Sequence, residues 1–410
     1  MPSRRTFIRA VGGAAALGGA GFVLSGRRLP GTCPSRKDPT WEHDGEDWTT
    51  PAFGPNALFL GERFGITGFD GPTRLAALQP WDGEAAWART TTGSGWGRPA
   101  VAGETVYAGT GNETVHAFDR VTGDTRWVWD GSEEDTIGGG AWARPAVADG
   151  TVFVPVSTAA TANPDPSDDA DYDHRVVALG ATDGEVRWTA PIDRPTFSDP
   201  AAVAGTLVVA TESGTVYGLD PGDGSERWVV SRATGVRQPV VESGDRAVVA
   251  DDGSVVALDA ETGEAAWTAS TPGTPTALDA TDGRLFLGDG DGNAASYRLD
   301  DGEERWRFGA EAPVGGIAGL RPAADRTESD RTARADEASV EAYVADQIGY
   351  VYGVTDAGTC VRRFRASESR YDNRCGWLPD HVTMNGAAIR SDGLYVSTRW
   401  GAARFEIDGD

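Results

Sequence analysis

Short runs of alternating apolar and polar residues, each ended by a glycine-containing turn, follow one another along most of the chain. Residues 98–127 show one unit of the pattern, with runs at 99–102, 106–109, 114–119 and 125–128. Alternation with a period of two, interrupted by Gly, Asn or Asp, is typical of strands joined by tight turns. We found no stretch that combines a helical period with capping residues. The pattern therefore predicts an essentially all-β protein.

One eleven-residue phrase recurs along the chain. It reads Ala-Phe-Asp-Arg-Val-Thr-Gly-Asp-Thr-Arg-Trp at Ala117–Trp127 and returns as Ala-Leu-Asp-Ala-Glu-Thr-Gly-Glu-Ala-Ala-Trp at Ala257–Trp267. In each copy a strand runs into Asp, a Thr-Gly turn follows, and Trp stands four residues after the Gly. Looser copies occupy Ala77–Trp87, Ala178–Trp188, Gly218–Trp228 and Ser296–Trp306. Repetition in register indicates a repeat protein.

The tryptophans give the length of the repeat. Successive copies lie 40 residues apart from Trp87 to Trp127, 40 from Trp188 to Trp228, and 39 to Trp267. A period near 40 built from short strands and Gly turns is that of a four-stranded propeller blade. Two wider gaps correspond to one period plus an insertion. They place insertions at residues 157–174 and 320–339, in connections that lie on opposite faces of a propeller.

Counting blade ends predicts eight blades. Seven end at Trp87, Trp127, Trp188, Trp228, Trp267, Trp306 and Phe364, and the C-terminal stretch supplies three more strands. The missing outer strand should come from residues 41–48, with Trp41 rather than Trp48 in the repeat position. We therefore predict that residues 34–410 form an eight-bladed β-propeller of four-stranded antiparallel blades. It would be closed by this N-terminal strand, leaving no open blade interface.

The first 33 residues resemble a targeting segment. Ser3-Arg4-Arg5-Thr6-Phe7-Ile8-Arg9 is similar to a twin-arginine export signal, and a weakly apolar Gly/Ala-rich run follows as far as Ser25. That run is too short and too rich in glycine for a typical membrane span. The segment predicts export by the twin-arginine route and an extracellular or surface-attached protein. Membrane attachment would be through an uncleaved signal or a lipid on Cys33, although Thr32 fits a lipidation site poorly.

The composition is acidic. The net charge is −25, and 36 of the 37 basic residues are arginine. Such a surface repels nucleic acid and anionic membranes, so we expect no nucleic-acid partner. A shortage of lysine beside abundant Asp and Glu is typical of halophilic proteins. A high-GC genome would also favour arginine, but does not by itself explain the net charge.

Two cysteines and one acidic loop are candidates for special chemistry. Cys360 and Cys375 lie 15 residues apart, and in an oxidising compartment we expect them to form a disulfide. No Cys or His cluster has metal-ligand spacing. The aspartates of residues 165–173 could supply oxygen ligands to Ca²⁺, but they lack the glycine and terminal glutamate of an EF-hand loop, which favours a solvated acidic loop.

The repeated Ala-x-Asp-x-x-Thr-Gly-x-x-x-Trp resembles the tryptophan-docking motif of the pyrroloquinoline-quinone-like propellers. That group includes quinoprotein alcohol dehydrogenases and the outer-membrane assembly lipoprotein of the β-barrel assembly machine. The motif implies docking contacts at the outer edges of the blades. A docked Trp buries roughly 150–250 Å², so we expect Trp267→Ala to cost about 3–5 kcal/mol at the contact of blades five and six. The predicted docking residues are Trp41, Trp87, Asp119, Gly123, Trp127, Trp188, Trp228, Asp259, Gly263, Trp267 and Trp306.

The enzymes of this group imply a second possibility, a site for pyrroloquinoline quinone (PQQ) and Ca²⁺. They hold Ca²⁺ with Glu, Asn and Asp, use an Asp base and a Trp floor, and carry two adjacent cysteines. In this sequence no two cysteines are adjacent, and no matching Glu/Asn/Asp set can be placed. PQQ and Ca²⁺ are therefore the less favoured cofactors, and we name no catalytic residue.

A channel site is suggested by the residues that precede the innermost strands. Two blades open with Trp-x-Arg-Pro, at Trp96–Pro99 and Trp142–Pro145. Arginine and aromatic groups around a pore could hold an anionic or planar ligand, or they could simply plug and neutralise an acidic ring. The candidate residues are Trp96, Arg98, Trp142, Arg144, Asp199, Arg237, Gln238, Asn385 and Trp400.

The sequence favours an exported cell-surface propeller that acts as a non-catalytic binding or scaffolding module for a protein of the cell envelope. The alternative is a quinone-binding or PQQ-dependent dehydrogenase-like redox protein. The repeat itself serves folding, so ligands and partners are expected where the repeat fails.

Overall fold

The protein is described here from a computed structural model that covers residues 38–45, 47–63, 72–91, 95–131, 140–159, 172–281, 283–320, 340–366, 384–390, 393–398 and 401–406. Within these ranges the chain forms 32 strands and no helix. The strands make eight antiparallel sheets of four, arranged as the blades of a ring. The predicted all-β, eight-bladed propeller is confirmed.

Each of the first four blades uses four consecutive strands, innermost first. Blade one contains β2 (Ala52–Phe53), β3 (Leu58–Gly61), β4 (Thr73–Leu78) and β5 (Ala85–Thr91); blade two β6 (Ala100–Ala102), β7 (Thr105–Gly109), β8 (Thr114–Asp119) and β9 (Thr125–Asp130); blade three β10 (Ala146–Ala148), β11 (Thr151–Ala159), β12 (Tyr172–Gly180) and β13 (Val186–Pro191); and blade four β14 (Ala201–Val203), β15 (Thr206–Ala210), β16 (Thr215–Leu219) and β17 (Glu226–Ser231).

The other half of the ring continues in the same way until blade eight. Blade five contains β18 (Val241–Ser243), β19 (Arg246–Asp251), β20 (Ser254–Asp259) and β21 (Ala265–Ser270); blade six β22 (Pro275–Thr281), β23 (Arg284–Asp289), β24 (Asn293–Arg298) and β25 (Glu304–Gly309); blade seven β26 (Val314–Gly319), β27 (Val340–Asp346), β28 (Tyr350–Thr355) and β29 (Cys360–Arg365); and blade eight β30 (Met384–Arg390), β31 (Gly393–Thr398), β32 (Gly401–Phe405) and, outermost, β1 (Trp41–Asp44).

The two ends of the chain close the ring in blade eight. Strand β1 pairs antiparallel with β32 from Trp41↔Arg404 to Asp44↔Gly401. Within the expected closing segment 41–48 the strand ends at Asp44. Trp48 instead bridges Glu62 of blade one and is fully buried. A strand from one end of the chain therefore completes a sheet from the other, so no blade in the ring is left unpaired.

The hydrophobic core is a series of interfaces between neighbouring blades. One cluster combines Phe59 and Trp87 of blade one with Val106 and Phe118 of blade two. The seam is packed in the same way, since Trp41, Tyr395 and Ala402 of blade eight share a cluster with Leu58 and Leu60 of blade one. Each blade buries its two faces against its neighbours, which explains why both strand faces are rich in Val, Ala and Leu.

The repeated tryptophans join each blade to the next at the outer rim. In six interfaces the indole N–H donates to a main-chain oxygen in the turn between the third and fourth strands of the following blade. These bonds are Trp41 to Pro80 at 2.8 Å, Trp87 to Arg120 at 3.1 Å, Trp127 to Ala181 at 3.0 Å, Trp188 to Pro221 at 3.0 Å, Trp228 to Ala260 at 2.9 Å and Trp267 to Leu299 at 2.9 Å. Because the acceptor is main chain, its side chain can vary.

Both the backbone conformation and the space available require glycine in the Thr-Gly turn. Gly123 has φ +69°, and a Cβ on it would lie 2.5 Å from Cδ2 of Trp87; Gly263 has φ +73°, with its Cβ position 2.7 Å from Trp228. A side chain would be strained by the left-handed backbone and would collide with the docked indole. The Thr-Gly of one blade is therefore the receptor for the Trp of the blade before it.

The other residues of the phrase shape the turn. Asp119 accepts from the main-chain N–H of Val121 and Thr122 and from the Arg126 guanidinium at 2.8 Å. The Arg126 hydrogen bond, followed by those main-chain bonds, lowers the pKa of the Asp119 carboxyl. Asp259 accepts from Thr262 in the same way. The turn is thus shaped by hydrogen bonds within its own blade.

Blade seven departs from this scheme. Trp306 donates to the carboxylate of Glu341 instead of a main-chain oxygen. Phe364 replaces the Trp of blade seven and packs on Phe405 of blade eight, with ring centroids 5.4 Å apart. Around blade seven, where the repeat sequence is least regular, a carboxylate acceptor and a Phe–Phe contact thus replace the usual docking contacts. Of the two insertions, residues 160–171 and 321–339 lie outside the described ranges.

Candidate functional site

The residues that open each blade lie just before its innermost strand, where the blades converge on the ring axis. Consecutive openings are joined by hydrogen bonds. Arg98 N donates to Trp142 O at 3.2 Å, Ser198 Oγ to Gln238 O at 2.6 Å, and Gln238 Nε2 to Pro275 O at 3.2 Å. A proline follows Arg98, Arg144, Asp199 and Gln238 in sequence and favours an extended conformation before it. We call this face of the ring the channel mouth.

An ion pair crosses part of the mouth. Arg98 of blade two reaches Asp199 of blade four, with Nη2 2.9 Å from Oδ1, and also donates to the main-chain oxygen of Phe197. The same Oδ1 accepts from the main-chain N–H of Arg144, which opens blade three, at 2.7 Å. Asp199 is 7% exposed. A contact that skips one blade is possible only near the axis, so this site is on the inner side of the ring.

Arg144 lies beside this ion pair. The Nε atom of its guanidinium is buried and has no hydrogen-bond partner among the described residues. Burial lowers the pKa of Arg144. The carboxylates of Asp199 and of Asp279, on the innermost strand of blade six, act in the opposite direction, whereas the charge of Arg98 lowers the pKa further. Arg144 is therefore within electrostatic range of residues from blades two, four and six.

A third arginine joins the group from blade one. Arg63 follows β3, and its Nε is 3.8 Å from Oδ2 of Asp47. That Nε is also buried without a hydrogen bond. Burial lowers the pKa of Arg63, and Arg98 adds to the effect after the opposing charge of Asp47. Arg63, Arg98 and Arg144 are hereafter the arginine cluster.

The two tryptophans of the Trp-x-Arg-Pro openings have different surroundings. Trp96 is 1% exposed and lies in the core between blades one and two, where Nε1 donates to Thr73 O at 3.2 Å. It belongs to the packing between these two blades rather than to a ligand-accessible surface. Trp142 is partly exposed, and its carbonyl belongs to the chain of bonds between openings.

A partly buried histidine packs against Trp96. The His116 and Trp96 rings are 5.0 Å apart in an edge-on arrangement, and Nε2 is 2.9 Å from Thr114 Oγ1. Burial lowers the pKa of His116 to about 4, although Asp130 acts in the opposite direction. The imidazole is therefore neutral near pH 7 and acts as a packing residue with one polar contact.

The remaining residues predicted for the mouth do not form one group. Arg237 turns outward, is 71% exposed, and forms an ion pair with Glu212 at 2.8 Å. Gln238 is part of the hydrogen-bonded chain of openings. Asn385 lies on β30, but the position of its side chain is not described, and Trp400 lies outside the described residues. The structure thus brings together Arg98, Arg144 and Asp199 and separates Trp96 and Arg237 from them.

Comparison with known proteins agrees with the fold. A family model described as outer membrane protein assembly factor BamB matches residues 38–199 and again residues 172–318. This chain belongs to that family of PQQ-like propellers. None of the curated proteins matches it significantly.

Two solved structures show the same architecture as this BamB-family chain. A computationally designed protein, Ika8, has 14% sequence identity and a TM-score of 0.64, with 90% of this chain and 100% of that chain covered. BamB from Moraxella catarrhalis has 15% identity and a TM-score of 0.59, with 92% and 98% covered. At such identities the likeness establishes the fold alone.

Of the two cysteines predicted to form a disulfide, the structure of this BamB-family propeller describes Cys360. Cys360 forms no disulfide with a described residue, its Sγ is 3.0 Å from Arg362 O, and burial raises the pKa of its thiol. Cys375 lies outside the described residues, so the pairing of Cys360 and Cys375 stays a prediction. Cys33 and the rest of the export segment also lie outside the described ranges.

Metal and membrane features can be stated only for the described part of the chain. It contains no group of three or more His, Cys, Asp or Glu placed to hold a metal ion, and no helix long and apolar enough to cross a membrane. Of the acidic loop, Asp173 is described on β12, whereas residues 165–171 are not.

Sequence reasoning missed Arg63 and Asp279. Arg63 directly follows a 6% exposed glutamate, Glu62, at the end of β3, and Asp279 lies on an innermost strand where its Oδ2 accepts from Gly319 N at 2.8 Å. A charged residue within or next to a run of apolar strand residues was the available signal. The residues that each of these charged side chains contacts could not be predicted from the pattern, because they come from other blades.

Proposed function

We propose that this chain is an exported cell-surface propeller that binds a protein of the cell envelope and catalyses no reaction itself. Membership of the BamB family and the closed eight-bladed ring support a binding module. The rim residues are used to join blades, so the partner surface is sought on the faces of the ring. The observation that carries the proposal is a long hairpin in blade three.

The hairpin is formed by β11 and β12. Nine residue pairs join Thr151–Ala159 to Tyr172–Gly180, whereas the equivalent strands of blade two share five. The outer strand β13 pairs only from Arg175 to Leu179. At about 3.3 Å per residue, the extra pairs extend the hairpin by roughly 10–13 Å beyond its neighbours. A two-stranded ribbon therefore extends from the face that carries the channel mouth.

The base of this hairpin is held firmly. Ser157 and Gly140 exchange two main-chain hydrogen bonds, of 2.8 and 3.1 Å, and Ser157 Oγ is 2.8 Å from His174 Nδ1. The Tyr172 and His174 rings stack with centroids 6.3 Å apart. A ribbon held in this way presents a fixed surface to a segment of another protein.

Site-specific photo-crosslinking in the producing cells tests this role. A photoreactive residue at the exposed Asp173 on the hairpin should yield a crosslink to one envelope protein. The same residue at exposed Glu261, in a turn on the opposite face, should not. Equal yields from both positions, or none from Asp173, would count against the hairpin as the partner surface.

Export is tested separately. Replacing Arg4 and Arg5 with lysine should leave the protein inside the cell, because the paired arginines are the feature that resembles the export signal. The measurement is the distribution of the chain between cell interior and surface. Unchanged surface delivery would refute the route without bearing on partner binding.

A further inference from the structure

The arginine cluster lies in a strongly acidic chain. The chain carries a net charge of −25, so arginines should readily find carboxylates. Arg98 does so with Asp199, and Arg63 forms a longer ion pair of 3.8 Å with Asp47. Arg63 and Arg144 each keep a buried Nε–H without a hydrogen-bond acceptor among the described residues. Buried donors are normally satisfied, so two such donors in one cluster point to an acceptor that the described residues do not supply.

The nearby carboxylates are already engaged. Asp199 Oδ1 accepts from Arg98 Nη2 and from the main-chain N–H of Arg144, and Asp279 Oδ2 accepts from Gly319 N. No hydrogen bond or ion pair joins the Arg144 guanidinium to a described residue. Asp199 thus fixes the backbone of Arg144 while leaving its guanidinium free to bind something else.

Arginine suits one class of ligand best. The guanidinium offers donors in a planar fork that matches the two oxygens of a carboxylate or phosphate. Mutual repulsion of Arg63, Arg98 and Arg144 would be relieved by a negative charge between them. Phe197, whose carbonyl binds Arg98, has a 40% exposed side chain at the same mouth and could cover the apolar part of an organic anion.

We propose that Arg98 and Arg144, with Arg63 beside them, form a binding site for a small oxyanion at the channel mouth. The ligand carries a carboxylate or phosphate group, which accepts from the guanidinium of Arg144. Asp199 is a positioning residue that holds Arg98 and the Arg144 backbone in place. This site does not depend on the hairpin or on any protein partner.

Calorimetric titration of the purified full chain tests the site. Inorganic phosphate, acetate and benzoate are compared at constant ionic strength, in wild type, Arg144→Gln and Arg237→Gln. Arg237 is the matched control because it is an exposed arginine near the mouth that is already paired with Glu212. We expect saturable binding in wild type and in Arg237→Gln, and a loss of about tenfold or more in affinity in Arg144→Gln.

The three anions separate the possible sources of the ligand. Tighter binding of benzoate than of acetate would assign an organic carboxylate with an apolar body next to Phe197. Tighter binding of phosphate would assign a phosphate ligand. Absence of saturable binding of all three, or equal binding in wild type and Arg144→Gln, would overturn the proposal.

A second measurement avoids dependence on the folding of the variant. Crystals of the wild-type protein soaked with selenate should show an anomalous peak within hydrogen-bond distance of the Arg144 guanidinium. Peaks confined to exposed arginines such as Arg237 would contradict the site even if Arg144→Gln failed to fold.

Discussion

At the outer rim, six blades receive the preceding tryptophan with a main-chain oxygen and a turn glycine, whereas at the channel mouth neighbouring blades place different side chains at the same position. Arg98, Arg144, Asp199 and Gln238 are equivalent openings with unlike contacts. A contact that uses the main chain can be repeated without regard to the acceptor's side chain. A contact between two side chains requires a particular residue at both positions. It can therefore differ from blade to blade and discriminate between ligands.

The largest expected effect is at the rim. Trp267→Ala should lower the free energy of unfolding by about 3–5 kcal/mol, because it removes the indole between blades five and six and its bond to Leu299 O. Denaturant unfolding measures the change. Trp81→Ala is the control, since Trp81 is 59% exposed and its loss should cost less than about 0.5 kcal/mol. Equal costs would show that docking does not stabilise the rim.

Substitution of the turn glycine is expected to cause the next largest loss of stability. Gly123→Ala should cost roughly 2–4 kcal/mol, because the new Cβ combines a left-handed backbone with a collision against Trp87. Gly103→Ala is matched to it, with φ +54° but no atom within 4 Å of the Cβ position. That control should cost only about 1–2 kcal/mol. Melting curves of the two variants isolate the docking contribution, and identical shifts would contradict it.

Acid should affect the packing behind the mouth through His116. Because burial lowers its pKa from 6.5 to about 4, the unfolded chain takes up a proton before the folded chain does as the pH falls. Stability is therefore lost between about pH 6.5 and 4, by up to about 2–3 kcal/mol. His116→Gln should flatten this part of the wild-type stability curve. A variant with the same slope as wild type would refute the burial of a neutral imidazole.

A smaller effect of opposite sign is expected from Asp346. Burial raises its pKa to about 6, despite hydrogen bonds from two main-chain N–H groups and from the Tyr352 hydroxyl at 2.8 Å. The stability it contributes is present below about pH 4 and is lost as the pH rises through about 6. Asp346→Asn should therefore gain about 1–2 kcal/mol on wild type between those values.

Unfolding curves of wild type and Asp346→Asn across this range provide the measurement. A constant difference between them would mean that the carboxyl titrates normally. In wild type the pH-dependent stability changes due to His116 and Asp346 partly cancel. Each single variant removes one of them and so reveals the other.

The sequence predicted the rim much better than the mouth. Trp, Thr-Gly and Asp act within one turn and one adjacent blade, so their spacing sufficed to count blades and to assign Trp41 to the closing strand. The contact of Arg98 with Phe197 joins residues 99 apart and depends on the size of the ring. Trp96 was expected at the mouth and lies in the core between blades one and two, because alternation along a strand does not place the residues of the loop before it.

The pairing of β1 with β32 has a consequence for how the chain is made. Strand β1 leaves the ribosome before the other described strands, and its partner β32 leaves after them. During synthesis the early strand has no sheet to join, and blade one lacks the neighbour that buries Leu58 and Leu60. Closing so long a loop is entropically costly and is therefore the late step of folding. A chain that stops before β30 lacks the blade-eight residues that bury apolar surfaces of blades one and seven.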